Sequence, residues 1–159
     1  MKRTLVISVA ALALLAGCSG ETEAPAESTT AAACPTASSA LEDADLKQAV
    51  GTGPFGSGNT LISSQSVSNT KDRSKIDVVF RICGNADTVG DALKTAATQI
   101  AAKLEASTLG AKVASMRVTN LSGGDSPKAR VRCENFELWN FTGGASGTER
   151  APWKTADEQ

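Results

Sequence analysis

Residues 75–83 alternate cleanly: Ile76, Val78, Phe80 and Ile82 fall on every second position, with Asp77 and Arg81 between them. That period of two predicts a strand with one buried face. The segment 60–68 (TLISSQSVS) is a weaker strand, and the polar run 69–74 joins the two as a hairpin. Gly84-Asn85-Ala86-Asp87 then stops the strand and offers Asn85 or Asp87 as a helix cap. Val89, Leu93, Ala96, Ile100 and Leu104 recur at steps of three or four, widened by Ala97 and Ala101, and predict a helix that Gly110 closes. A third strand is expected over 111–121, with Ala114, Met116 and Val118 on one face. After the turn-forming residues 122–128, a fourth is expected from Ala129 to Phe141, bulged near Glu134-Asn135. Upstream, Leu41, Leu46 and Val50 place a short amphipathic helix over 38–50, its acidic start matching the positive end of the helix dipole.

The order helix-strand-strand-helix-strand-strand predicts an α+β domain at 36–142: a small antiparallel or mixed four-stranded sheet with two helices on one face. Residues 143–159 read as a polar C-terminal tail. Gly51-Thr52-Gly53-Pro54-Phe55-Gly56 contains the pattern G-x-G-x-x-G, but a dinucleotide site needs a strand before it and a helix opening from it. Here a helix precedes it and Pro54 interrupts it, so the segment reads as a loop.

The first residues do not fit that domain. Met1-Lys2-Arg3 is cationic, and 5–16 form an apolar run broken only by Ser8, shorter than the roughly 20 residues that span a bilayer. The run ends in Leu15-Ala16-Gly17-Cys18, which resembles the lipobox of bacterial lipoproteins. The resemblance covers about the first 18 residues; it implies cleavage after a signal peptide at 1–17 and a diacylglycerol thioether on Cys18. It also implies anchoring at the extracytoplasmic face of the cell membrane. Acyl chains add about 0.8 kcal/mol per buried methylene, so such an anchor holds without a transmembrane helix. Residues 18–35 would then be the lipidated Cys and a flexible tether, because 19–35 are small, polar or acidic and have no large apolar side chain to bury. Fully extended at about 3.3 Å per residue, the tether reaches roughly 50 Å.

Composition narrows the chemistry. The chain of 159 residues has no His, which removes Ser-His-Asp triads, Cys-His pairs and His-ligated metals. Its 16 bases and 17 acids give a net charge of −1, and loss of Lys2 and Arg3 with the leader makes the mature chain −3, which argues against nucleic acid. No catalytic residue, metal or cofactor is assigned. Glu134 and Glu137 are the carboxylates an envelope hydrolase would use, but three residues apart on one strand they project to opposite faces.

With Cys18 lipidated, Cys34, Cys83 and Cys133 remain, and in an oxidising compartment two of them should pair. Cys83–Cys133 is favoured because both lie in expected strands; Cys34 with either is the alternative. Four of the six aromatics, Phe136, Trp139, Phe141 and Trp153, fall in the last 24 residues. If the fourth strand runs to Phe141, both its faces are apolar, so one is covered by the tail or exposed for a partner. Trp139, Phe141 and Trp153, with Arg130 and Arg132, are therefore the candidate binding patch. Arg117, Arg130 and Arg132 on neighbouring strands, with Glu134 and Glu137 close by, read as mixed charges decorating a solvated sheet face, with the holding of an anion as the alternative. The expected function is a lipid-anchored, non-catalytic binding or interaction module of the cell envelope with an unidentified protein or envelope partner. The alternatives are a carboxylate-based hydrolase and a structural or phage-exclusion lipoprotein.

Overall fold

A computed structural model of the chain describes residues 33–36 and 42–155. The leader, Cys18 and the tether before Ala33 lie outside the described residues. One mixed sheet holds five strands in spatial order β1 (Thr60–Ser68), β2 (Ile76–Cys83), β3 (Val113–Asn120), β4 (Ala129–Cys133) and β5 (Trp153–Thr155). β2 and β3 run parallel and the other neighbours antiparallel. A parallel pair needs a long return, and α2 (Gly90–Glu105) supplies it. α1 (Ala44–Val50) packs on β1 and α2 lies over β3 and β4.

Both helices cover one face of the sheet. Val78, Phe80 and Ile82 of β2 and Met116 and Val118 of β3 are buried there against Leu93, Ala96, Ala97, Ile100 and Leu104 of α2 and Leu46 and Val50 of α1. The predicted period-two and period-3.6 stripes are thus the two sides of one core, except for Val89, which precedes the first turn of α2 and is exposed. Phe55, in the glycine-rich loop, is fully buried in the same core, and Gly51–Gly58 is a loop as expected.

At the C-terminal ends of β2 and β3 the core becomes polar and is satisfied internally. The Asn120 amide donates to the carbonyls of Asn85 and Thr88 at 3.0 and 2.9 Å, and its Oδ1 accepts from Ser122 N at 2.9 Å. Asn59 donates to Thr88 Oγ1 at 2.8 Å and accepts from Asn85 N at 3.0 Å. These bonds fix the turn that leads into α2, and they explain one departure from expectation. Asn85 caps its own turn through Asp87 N, so Val89 stands at the N-cap of α2 without a side-chain bond and neither Asn85 nor Asp87 caps the helix.

Other departures cluster toward the C-terminus. β4 ends at Cys133, not Phe141: Asn135 takes a left-handed conformation (φ 53°), and Phe136–Leu138 turn into a 3-10 helix. The segment read as a polar tail contributes α3 (Gly147–Arg150) and β5. α2 ends at Glu105, and Gly110 instead opens a 3-10 turn packed so closely that a Cβ there would lie 2.7 Å from the Cα of Glu105. α1 starts at Ala44, where the Asp43 carboxylate accepts from the backbone N–H groups of Asp45 and Leu46.

The favoured Cys83–Cys133 bridge is replaced by Cys34–Cys83, and Cys133 is a buried free thiol. Geometry dictates this. Cys133 is in register with Met116 and points into the core, whereas Cys83 alternates with Ile82 to the opposite face. Met116 aligns with Val78, five residues before Cys83, so the two cysteines are also some 16 Å apart along the strand at about 3.3 Å per residue. Cys34 reaches Cys83 from outside the sheet, and Ala33 O accepts from Gly123 N at 3.1 Å beside it.

Candidate functional site

The sheet face opposite the helices carries the side chains that alternate with the core. Register assigns Ser63, Gln65 and Val67 of β1, Asp77, Val79 and Arg81 of β2, Ser115, Arg117 and Thr119 of β3, Arg130 and Arg132 of β4, and Lys154 of β5. Among the described residues no helix packs on this face. In a chain with slightly more acids than bases, five cations gather here, and Asp77 is the one acid among these strand residues.

Lateral pairing sharpens the concentration. Arg117 is the partner of Arg132, and Arg132 is the partner of Lys154, so three cations on β3, β4 and β5 form one row across the sheet. In the adjacent row Thr119 sits between Arg81 and Arg130 and is only 5% exposed. Like charges directly opposite on neighbouring strands are destabilising. At a separation of roughly 7 Å each pair repels by about 0.6 kcal/mol in water, and more where the dielectric is lower.

Compensation within the chain is sparse. Arg132 meets Glu134 at 3.4 Å, and Arg81 Nη1 donates to Ser63 Oγ at 3.2 Å. Among the described residues Arg117, Arg130 and Lys154 form no ion pair. Asp77 is engaged at the far end of the face, where it accepts from Asn69 Nδ2 at 2.9 Å and from Ser115 Oγ at 2.6 Å. Two shallow grooves of about 520 and 550 Å³ flank β5, the first lined by Lys94, Lys154 and an Arg150 that meets Asp91 at 3.8 Å, the second by Lys128 and Arg130.

The arrangement can bind anions. Guanidinium groups present paired N–H donors that match phosphate or carboxylate oxygens, and an anion set between Arg117, Arg132 and Lys154 would relieve their mutual repulsion. Among the described residues no helix covers the face, which suits an extended or repeating anion more than an enclosed small molecule.

The candidate aromatic patch does not assemble on this face. Phe141 and Trp153 are brought together, but in the core: Phe141 lies 5.1 Å from Phe136 and 5.8 Å from Trp153 between ring centroids. Trp153 Nε1 donates to the buried Thr98 Oγ1 at 2.9 Å. Trp139 is separate and 41% exposed, beside the more exposed Leu138. Arg130 and Arg132 lie on the opposite face from Trp153. Arg117 joins them as the sequence suggested; Arg81 and Lys154 were not foreseen as members. Arg81 had a readable signal, since it shares the polar parity of β2, whereas Lys154 lies in a strand too short to show a period.

Other reactive groups are occupied. Burial, reinforced by the charge of Glu134, pushes the Cys133 thiol up to about 12, so it is protonated and shielded near neutrality. Glu134 faces Arg132, and Glu137 contacts Lys75 at 2.6 Å, so the two carboxylates are not opposed across a cleft. Hydrogen bonds from the Thr142 hydroxyl and backbone N–H hold the Glu149 carboxyl below its usual range, and this fastens the segment before α3. Among the described residues no group of Cys, Asp and Glu converges as metal ligands, and no helix is long and apolar enough to cross a membrane. No protein family, curated protein or solved structure matches the chain.

Proposed function

We propose that this chain is an exported lipoprotein, anchored through Cys18 at the extracytoplasmic face of the cell membrane, whose folded domain is a non-catalytic binding module that takes an anionic ligand on its open sheet face. The lipobox resemblance supports the anchor. The Arg117–Arg132–Lys154 row carries the binding reading, because three like charges in lateral register are unfavourable and Glu134 offsets Arg132 alone.

Calorimetry of the full chain with polyphosphate tests the binding reading. Arg117→Glu with Arg132→Glu should weaken binding by at least tenfold while thermal unfolding stays cooperative. Equal affinity of parent and variant would remove the sheet face as the site. Metabolic labelling with palmitate tests the anchor: the parent should be labelled and Cys18→Ala should not.

A further inference from the structure

We infer that the anion this face meets is the headgroup surface of the anionic membrane holding the anchor, so that the domain lies on the bilayer with its open sheet face down. The inference rests on the binding reading above and names its partner. Charge complementarity is the first argument: Arg81, Arg117, Arg130, Arg132 and Lys154 gather on one face across four neighbouring strands, and the phosphates of an anionic leaflet are their charge complement. Cationic side chains beside an anionic leaflet each strengthen attachment by about 1 kcal/mol, about fivefold.

The route of the chain is the second argument. Cys83 projects on the open-face side at the end of β2, and its bond to Cys34, with Ala33 O held by Gly123 N, brings the chain that leads back to Cys18 to the rim of this face. Fourteen residues, 19–32, lie between Cys18 and Ala33. Even fully extended, at about 3.3–3.6 Å per residue, that stretch reaches at most roughly 50 Å. β2, eight residues long, spans about 26 Å, so the length of chain available keeps this face within about two strand lengths of the anchored Cys18.

The exposed apolar residues give the third argument. Val67, 59% exposed, is in register with Asp77 near the start of β2. Leu138 and Trp139 follow Glu137, which binds Lys75 at that same end. The sheet therefore has the tether at one end and the exposed Val67 of the open face at the other, with Leu138 and Trp139 exposed in the turn that follows the buried Phe136 at that end; Trp favours the membrane–water interface.

The mature, lipidated chain reconstituted in vesicles tests the inference. One vesicle set is phosphatidylcholine alone and the other is enriched in phosphatidylglycerol. Acetylation of Lys154 by a water-soluble reagent is read by mass spectrometry against Lys103, which is exposed on α2 in the helical layer. The expected result is Lys154 acetylated at least about fivefold more slowly on the anionic vesicles, the factor one cation contributes at such a surface, with Lys103 unchanged. Arg117→Glu with Arg132→Glu should abolish the protection. Equal labelling on both vesicles overturns the inference. If polyphosphate still binds in that case, the anion reading stands and the partner is another polyanion; if it does not, both fall. Equal protection on both vesicles, relative to the free protein, also overturns it and identifies the face as covered without regard to lipid charge.

Discussion

Breaking the Cys34–Cys83 bridge should lower stability substantially although few native contacts depend on it. The bridge spans 49 residues, and closing a loop of that length removes entropy from the unfolded chain equivalent to about 4 kcal/mol at room temperature. On the native side the arm around Cys34 is exposed, with Pro35 half-buried, so little packing accompanies the bond. Freedom regained by the released arm in the folded protein offsets part of the entropy, leaving about 2–4 kcal/mol. Urea unfolding followed by tryptophan fluorescence, with and without reductant, measures the difference. The Cys133→Ala background leaves this bridge as the one thiol pair in the folded domain. Reduction should also raise the urea dependence, because the uncrosslinked unfolded chain exposes more surface. Cys34→Ser should reproduce the reduced parent and be insensitive to reductant. A reduced protein within about 0.5 kcal/mol of the oxidised one would refute the argument that the bridge closes a long loop across the folded core.

The buried aromatics should separate from the exposed one. Phe141→Ala and Trp153→Ala are each expected to cost about 3–5 kcal/mol in chemical unfolding, and Trp139→Ala within about 0.5 kcal/mol. Cys133, whose thiol is raised from 9.0 to about 12 in the fold, binds its proton more tightly folded than unfolded. Its contribution is therefore fully present below pH 9 and is lost as the pH rises toward 12, a decline that Cys133→Ala should flatten in pH-dependent thermal unfolding. Lys154→Ala should raise the melting temperature at low ionic strength, by an amount corresponding to a few tenths of a kcal/mol, and the gain should vanish in high salt; a loss of stability would show that Lys154 is not repelled by Arg132.

Much of the architecture was legible because its strongest patterns are long. Ile76 to Ile82 could only be a one-sided strand, and the stripe from Val89 to Leu104 spans more than four helical turns. The element order left the sheet antiparallel or mixed, and the parallel β2–β3 pair makes it mixed. The C-terminal third resisted reading because its apolar residues serve one core from different backbones. Phe136, Phe141 and Trp153 meet there across a 3-10 turn, a loop and a three-residue strand, and no single period links them. The left-handed Asn135 that ends β4 is a one-residue event. Cysteine pairing failed for a related reason: strand membership was readable, but the face each cysteine occupies depends on register. The cationic face was half visible, as Arg117, Arg130 and Arg132, since parity along a strand is local; their alignment with Lys154 and Arg81 is set by pairing between strands.

The account turns on the open sheet face as the place where anions bind. An amide-resolved NMR titration of the full chain with polyphosphate reads this directly. The shifts should concentrate on Arg117, Arg130, Arg132 and Lys154 and weaken as salt is raised, with α2 nearly silent. Shifts centred instead on Trp139 and Leu138 or on the helical layer, or no shifts at low salt, would contradict it.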